Sequence, residues 1–230
     1  MPFYYYYDST YVLVLIAFVL SLFASFGVNA AFSKYSKNTN ARGFTGADVA
    51  RKILDSNGLR NVVVERVSGK LTDHYDPRTN VVRLSDSTYN SASVAAIGVA
   101  AHECGHAIQH NTGYIPIKVR NAIVPAVNIG NKLAMPLFLI GLILGYYNLA
   151  FAGAMLFSLV LVFQVATLPV EFNASRRAIK ILDGADLLGR DEIKGAKKVL
   201  RAAAMTYVAA VASTALQLLR LLVIINRRRD

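Results

Sequence analysis

AMPLFLIGLILGYYNLAFAGAMLFSLVLVFQVATLPV, residues 134–170, is a run of 37 residues without a charge. A helix needs about 20 apolar residues to cross about 30 Å of hydrocarbon, so this run is long enough for two crossings. Its middle, GYYNLAFAG, has the Gly, Asn and Tyr residues of a tight turn. The run therefore predicts a hairpin of two short transmembrane helices, after which the chain returns to the side of the membrane that it left.

Two further tracts are apolar enough to cross a membrane, in a chain that is 54% hydrophobic. Residues 10–32 follow MPFYYYYDS, which has no Lys or Arg, so they predict an uncleaved anchor with Tyr4 and Tyr7 bounding a group of interfacial tyrosines. Residues 202–225 are long enough to span but contain Arg220, so this helix either spans the membrane or lies in its plane.

The basic residues are concentrated between the apolar tracts. Thirteen of the 25 Lys and Arg lie in residues 34–132, and eight more lie in residues 176–201. Because Lys and Arg are enriched in cytoplasmic loops, we expect both stretches inside the cell and the N-terminus outside. Acidic residues are mixed in and aromatic residues do not alternate with the basic ones, which argues against nucleic acid as a partner despite a net charge of +11. The expected partner is the lipid bilayer.

The segment after the first apolar tract predicts a helix and a small sheet. TGADVARKILDSNGL, residues 45–59, begins with a capping box of Thr45 and Asp48 and ends with an Asn-Gly stop. NVVVERV, residues 61–67, and NVVRLS, residues 80–85, are rich in β-branched residues and are joined by a turn-rich segment. We expect a sheet of two or three short strands that needs helices packed over it.

A second helix is predicted from about Ser91 to His110, capped by Asn90 or Ser91. Small and apolar residues recur on it at spacings of three and four, which favours close packing of one face against another helix. The chain's single cysteine, Cys104, lies in this helix and permits no internal disulfide, in keeping with a reducing cytoplasm. We expect Cys104 to be a small packing residue.

AAHECGHAIQH, residues 100–110, places the motif HExxH within this helix. His102 and His106 share a helix face and can bind one ion, and Glu103 lies at the edge of that face, where a carboxylate can hold a metal-bound water. With four His and four Glu in the chain, a chance match has odds of about one in a thousand. His110 lies about 12 Å along the axis from His102, too far for both to bind one zinc ion, so we expect a surface residue or a neighbour of the ligands.

The third ligand must come from elsewhere, with the fourth position left to water. If residues 134–170 form a hairpin, the chain returns beside the HExxH helix, and the first charged residue there is Glu171 in LPVEFNASRRAIK. The sequence therefore predicts one Zn²⁺ held by His102, His106 and Glu171.

These motifs resemble a known family. AAHECGHAIQH, with GKLTDHYDPRTNVVRLS upstream and LPVEFNASRRA downstream, resembles the YugP-like membrane zinc metallopeptidases over nearly the whole chain. More distantly, HExxH followed by Glu-Phe-x-Ala is similar to the HtpX-type and CaaX prenyl endopeptidases, integral membrane gluzincins, and that resemblance implies that Glu171 binds zinc. Their second motif ends in Asp where this chain has Ser175, so we expect Asp183, Asp186 or a backbone carbonyl to support a histidine ligand instead.

The predicted fold is a mainly α integral membrane protein with a small β-sheet and a zincin-like HExxH helix packed on transmembrane helices. We expect an N-terminal anchor (1–32), a cytoplasmic zincin-like catalytic portion (33–132), a helical hairpin (133–170), a cytoplasmic segment with the third ligand (171–201), and a hydrophobic helix with a basic tail (202–230). The expected location is a bacterial-type cell membrane, with several crossings and the active site on the cytoplasmic side.

The predicted function is zinc-dependent endopeptidase activity on a peptide or membrane-protein substrate, with Glu103 as the general base. The alternative is a membrane metal-binding or scaffold protein without turnover, although metal binding alone has no use for a base at Glu103. Tyr207 is either an oxyanion donor or part of a packed helix face, and His74 either contacts substrate or is a turn residue. The strand at residues 80–84 could offer an exposed edge to an extended substrate. The oligomeric state stays open.

Overall fold

The computed structural model describes residues 9–229, so the expectation for Tyr4 and Tyr7 lies outside the described residues. The described residues form six α-helices and three β-strands: α1 (Tyr11–Tyr35), α2 (Gly46–Ser56), β1 (Val63–Val67), β2 (His74–Asp76), β3 (Val81–Ser85), α3 (Val94–Asn111), α4 (Ile115–Ile143), α5 (Tyr147–Gly184) and α6 (Arg190–Arg229). The chain is mainly helical with one small sheet, as the sequence predicts.

Four helices, α1, α4, α5 and α6, are long and apolar enough to cross a membrane. The predicted hairpin is present as α4, a turn in which Gly145 has a φ of +72°, and α5. The predicted helix lengths are wrong, because α4 runs for 29 residues and α5 for 38. The sequence prediction ended these helices where the apolar run ends, but backbone hydrogen bonding continues through the polar flanks, and Pro125, Pro136 and Pro169 are accommodated inside the helices.

The chain folds into two compact units, each built from segments that are distant in the sequence. The helical unit comprises Met1–Phe23, Arg120–Ala166 and Tyr207–Asp230, and the sheet unit comprises Ala24–Val119 and Thr167–Thr206. The sheet unit thus contains the whole HExxH helix together with Glu171.

Within the helical unit, α4 and α5 pack closely through glycines. A Cβ at Gly153 would lie 2.5 Å from the backbone nitrogen of Phe138, and one at Gly141 would collide with the backbone of Ala150. Only glycine permits this approach of two helix backbones. Phe138 and Leu221 are buried in the small core of this unit, whereas most of its large apolar side chains point outward.

Within the sheet unit, β3 is the central strand. It pairs in parallel with β1, with Val63 opposite Val81, and antiparallel with β2, with His74 opposite Arg83. The predicted exposed edge at residues 80–84 is therefore wrong. The turn-rich linker contains β2, the third of the two or three predicted strands, which covers that edge, so the outer strands of the sheet are β1 and β2.

Helices α2 and α3 pack on one face of this sheet and complete its core. The predicted capping box is confirmed, since the Thr45 hydroxyl accepts from the backbone N–H of Asp48 and the Asp48 carboxylate accepts from that of Thr45. Helix α3 is capped by Ser93, not by Asn90 or Ser91. The backbone before Ser93 is held in extended contacts with the segment around residue 40, so the helix begins later than predicted.

The core between α2, α3 and β3 is formed by apolar side chains from all three elements. Ile53 and Leu54 of α2, Ile97 of α3, and Val82 and Leu84 of β3 have no solvent exposure. Burial of a side chain of this size contributes about 1.5–3 kcal/mol each. This packing fixes the helix that carries the HExxH motif.

Candidate metal centre

Three side chains of the sheet unit meet at one point. The Nε2 atoms of His102 and His106, one turn apart on α3, are 3.1 Å apart. Glu171, on α5, places its Oε2 atom 3.3 Å from the Nε2 of His102 and 3.6 Å from that of His106. The structure therefore brings together the three predicted metal ligands, although they are separated by up to 69 positions in the sequence.

The spacing of these atoms suits a tetrahedral zinc ion. With Zn–N and Zn–O bonds of about 2.0–2.1 Å, two tetrahedral ligand atoms lie about 3.3 Å apart. The three measured separations, 3.1, 3.3 and 3.6 Å, lie close to that value. The donor set of two imidazoles and one carboxylate is also one that zinc prefers.

One polar atom at this point, the Oε2 of Glu171, has only the two histidines near it in the part of the chain that the structure describes. The Oε2 of Glu171 is buried and has no hydrogen-bond partner among the described residues. A buried polar atom is normally paired, and an unpaired one costs about 1–3 kcal/mol. A cation bound between Glu171 and the two histidines would remove that cost, so the residues present fit one zinc ion.

A polar side chain lies within hydrogen-bond distance of the Nδ1 atom of each histidine, on the side of the ring away from the other two ligands. Gln109 Oε1 lies 3.0 Å from Nδ1 of His106, and Ser175 Oγ lies 3.1 Å from Nδ1 of His102. Hydrogen bonds of this kind fix the ring orientation and leave Nε2 for the metal. Neither Gln109 nor Ser175 was predicted to do this.

We expected Asp183, Asp186 or a backbone carbonyl, rather than Ser175, to hydrogen-bond to a histidine ligand, and this expectation is wrong. Asp183 is exposed, and Asp186 forms an ion pair with Arg42. Ser175 itself lies against His102, because it follows Glu171 by four residues and so shares its helix face. A spacing of four from the predicted ligand was the sequence signal that could have identified it.

Glu103 is buried beside the two histidines, with 8% of its surface exposed. Burial raises the pKa of its carboxyl group, and the neighbouring His102 and His106 oppose that shift. Asp73, just before β2, adds to the rise. A carboxyl group with a raised pKa accepts a proton more readily than an exposed one, which suits a general base.

The approach of α5 to α3 depends on small residues. A Cβ at Gly105 would lie 2.8 Å from the carbonyl oxygen of Ala174, and one at Gly98 would lie 3.3 Å from the Cβ of Ala196 on α6. The predicted face of small residues on the HExxH helix is therefore present. Since Ala174 is less than one turn from Glu171, this contact sets how near Glu171 comes to the histidines.

The remaining predicted residues lie elsewhere. His110 is exposed and its Nδ1 is 3.3 Å from the hydroxyl of Tyr75, outside the group of three ligands. Cys104 is fully buried against α2, and its thiol lies 3.6 Å from the carbonyl oxygen of Ala50, so its packing role is confirmed. His74 is exposed on β2, and Tyr207 lies on α6 in the helical unit. The roles predicted for His74 and Tyr207 stay predictions.

Four helices are long and apolar enough to cross a membrane, and His102, His106 and Glu171 could hold a metal ion, which together favour a membrane metalloprotein. The chain belongs to the family described as "Putative neutral zinc metallopeptidase", whose profile matches residues 10–226. It is 49% identical over 218 residues to the "Putative membrane protease YugP" of Bacillus subtilis (strain 168), a match that covers 95% of this chain and 97% of that protein. No solved structure matches the chain. The resemblance to the YugP-like family is confirmed.

Proposed function

We propose that this chain is a membrane-embedded zinc-dependent endopeptidase. His102, His106 and Glu171 hold one Zn²⁺, and Glu103 is the general base. The observation that carries the proposal is the convergence of three ligand atoms within 3.1–3.6 Å of one another, on the helix that also buries Glu103. The family match supports a peptide as the substrate.

Bound zinc supplies an activated water and polarises the scissile carbonyl group. The carboxylate of Glu103 takes a proton from the attacking water and later delivers it to the nitrogen of the leaving amine. Burial favours the protonated carboxyl group, so Glu103 can hold that proton between the two steps. Gln109 and Ser175 keep the two imidazole rings oriented throughout.

The outer edge of β2 is the proposed binding surface for an extended stretch of substrate. Strand β2 begins directly after Asp73, whose charge acts on Glu103, and its outer edge is unpaired among the described strands. Peptides commonly bind by adding a strand to such an edge. His74 on this strand is then placed to contact a substrate residue, and Tyr207 is kept as the candidate oxyanion donor.

The proposed membrane arrangement follows the charge distribution. The apolar parts of α1, α4, α5 and α6 cross the bilayer, with the N-terminus outside and residues 34–120 and 176–201 in the cytoplasm. Only 11 residues of α4 follow Lys132, about 16 Å of helix, so Lys132 lies within the span of α4 rather than in the cytoplasm. The zincin-like helix α3 then packs on the cytoplasmic ends of α5 and α6. The division into five segments stays a prediction.

The test is zinc content and cleavage of an unbiased peptide library by detergent-purified protein. Glu103→Gln should keep one zinc per chain and lose about 10²–10⁴-fold in cleavage rate, the usual contribution of a general base. Glu171→Ala should lose the zinc. Glu65→Gln is the matched control, because Glu65 lies on β1 and is bound to Arg83 rather than to the site.

Two results would count against the proposal. Cleavage by Glu103→Gln at the wild-type rate would remove Glu103 from the mechanism. A wild-type protein that contains zinc and cleaves no member of the library would favour the non-catalytic metal-binding alternative.

A further inference from the structure

Within the sheet unit, the exposed face of α5 changes from apolar to basic beside the proposed zinc ligand. The uncharged run of residues 134–170 ends directly before Glu171, and Phe172 is 42% exposed. Arg176 and Lys180, one and two turns further along the same face, are also exposed. Exposed apolar side chains of a membrane helix lie in hydrocarbon, whereas basic side chains reach the headgroups. The edge of the hydrocarbon therefore falls on α5 between Phe172 and Arg176, which are about 6 Å apart along the axis.

Helix α6 has the same change on its own exposed face. Lys194, Lys198 and Arg201 recur at spacings of four and three and are exposed, and Met205, one turn later, is an exposed apolar residue. The edge of the hydrocarbon thus falls on α6 between Arg201 and Met205. Because the change recurs on a second helix of this unit, it indicates a membrane boundary rather than a local cluster of charges.

The end of α1 has its change at a similar level. Phe26 is exposed to solvent or lipid over 68% of its surface, whereas Lys34 lies in the last turn of the helix. Phe32, between them, packs with Val199 of α6 in one buried cluster. Val199 precedes Arg201 by two residues, about 3 Å, so the end of α1 lies close to the boundary defined on α6.

The segment that leads into β2 lies against this end of α1. The Nζ of Lys70 is 6.0 Å from the ring centroid of Phe32, and Leu71, next in the chain, is 39% exposed. A basic group beside an exposed leucine is typical of a segment at the membrane surface, where lipid covers the apolar side chain and the charge meets headgroups. Strand β2 begins three residues later, at His74. The proposed substrate-binding edge therefore starts at the same boundary as the zinc ligand on α5.

We propose that this metal centre cleaves peptide bonds just outside the hydrocarbon, in the segment of a substrate that adjoins the substrate's own membrane anchor. The inference rests on the proposed peptidase function and adds the position of the scissile bond. The reaction itself is the same hydrolysis: the C–N bond breaks, and water supplies a hydroxyl to the acyl carbon and a proton to the amine nitrogen. Glu171 precedes Arg176 by five residues, about 7.5 Å, so a bond held beside the ligands lies within about 10 Å of the hydrocarbon. An extended chain covers about 3.3 Å per residue, so this bond is within about three residues of the anchor.

A peptide free in solution fits this position less well than an anchored one. The free peptide must place its backbone close to the headgroups without anything that holds it there. An anchor delivers the adjoining segment to the site at a high effective concentration. Distance from the membrane, more than the identity of the side chains, then selects the bond that is cleaved.

The first test measures the depth of the site and needs no cleavage. Nitroxides are attached, one at a time, to four cysteine variants of full-length protein in phosphatidylcholine vesicles: Val165→Cys, Phe172→Cys, Arg176→Cys and Asp183→Cys. Cys104 is fully buried and should not take the label. Oxygen, which enters hydrocarbon, should relax the nitroxides at the first two positions, and a water-soluble nickel complex should relax those at the last two. A nitroxide on Phe172→Cys that meets only the nickel complex, in a variant that still binds zinc, would overturn the proposal.

The second test measures cleavage against distance from a membrane anchor. A segment that the peptide library shows to be cleaved is joined to a transmembrane anchor through two or ten prolines, in the same vesicles. Prolines extend by about 3.1 Å per residue, so the segment is held about 6 Å or about 31 Å from the anchor. The short spacer should give cleavage at least about tenfold faster than the long spacer or the free peptide. A flexible spacer of ten Gly and Ser residues is the matched control, because it lets the segment fold back and should restore most of the rate.

A variant of the segment before β2 tests the membrane contact directly. Leu71→Ser should slow cleavage of the anchored substrate severalfold and leave cleavage of the free peptide and zinc content unchanged. Val63→Ser is the matched control, because Val63 is 50% exposed on β1 and should leave all three unchanged.

The outcomes separate this inference from the peptidase function on which it rests. Equal rates for the two proline spacers and the free peptide would overturn the inference and leave the peptidase function intact. A protein that cleaves none of these substrates would contradict the peptidase function, while the nitroxides would still decide whether the metal centre lies at the membrane boundary.

Discussion

The Nδ1 atom of His106 lies 3.0 Å from the side-chain oxygen of Gln109, a residue with no solvent exposure. The orientation of this amide is fixed from its other end, because its nitrogen donates to the carbonyl oxygen of Val170 at 2.8 Å and to the side-chain oxygen of Asn173 at 3.0 Å. Only the amide oxygen can then face His106, so the imidazole proton must be on Nδ1. The lone pair of Nε2 is left to face Glu171.

Replacement of Gln109 by leucine should therefore weaken zinc binding. The leucine keeps the volume but lets the His106 ring rotate and change tautomer, and loss of such a supporting residue typically costs 10–100-fold, so we expect about 10–100-fold weaker zinc affinity. Competition with a chromophoric chelator measures this directly. Gln164→Leu is the control, because Gln164 lies in the helical unit and should leave zinc affinity unchanged. Wild-type affinity in Gln109→Leu would show that the amide has only a packing role.

Two substitutions of Ser175 test the same effect at His102, namely support of a histidine ligand by a hydrogen bond at Nδ1. Ser175→Ala removes the hydroxyl beside His102 Nδ1 and should weaken zinc binding by about tenfold. Ser175→Asp supplies the carboxylate found in the more distant gluzincins and should bind zinc more tightly than the wild type, since a carboxylate makes a stronger hydrogen bond to the imidazole. Ser158→Ala serves as control, because among the described residues that hydroxyl donates to a carbonyl oxygen of its own helix. An unchanged affinity in both Ser175 variants would contradict the assignment.

The parts of the fold that depend on neighbouring residues in the sequence were predictable. The capping box of Thr45 and Asp48 and the pairing of His102 with His106 follow from helix spacing alone. The position of Glu171 beside them was predictable for another reason. The uncharged run of residues 134–170 is long enough for two membrane crossings. A hairpin of two helices would return the chain to the side of the membrane that it left.

Features set by tertiary contacts were not predictable in the same way. The sequence left open whether the sheet has two or three strands, because β2 has only three residues, His74–Asp76, which become a strand through pairing with β3. Gln109 resembles any polar residue near a helix end, and its role depends on Val170, 61 positions later. No local sequence pattern can indicate a partner that lies so far along the chain.

Cys104 should resist alkylation while the protein is folded. Its thiol is fully buried and burial raises its pKa, so the reactive thiolate is scarce even at pH 8. We expect maleimide labelling at pH 8 to be at least about a hundredfold slower than in denaturant, because it must wait for local opening. Ser36→Cys, which places a thiol in an exposed turn, should label quickly in the folded protein. Equal labelling rates at both positions would contradict the packing of α3 on α2.

Gly105 should be the most sensitive glycine of the HExxH helix. A methyl group at this position would meet the carbonyl oxygen of Ala174 at 2.8 Å, so Gly105→Ala must push α5 away from α3 and should cost about 1–3 kcal/mol of stability. Glu171 moves with that part of α5, so zinc affinity should fall too. Gly98→Ala, where the nearest atom is 3.3 Å away, should be milder. Gly27→Ala meets nothing within 4 Å and should be neutral or slightly stabilising, as alanine favours the helix. Thermal unfolding ranks the three variants by stability, and chelator competition ranks them by zinc affinity. A Gly105→Ala protein as stable as Gly27→Ala would show that the distance between Glu171 and the histidines is set by other contacts.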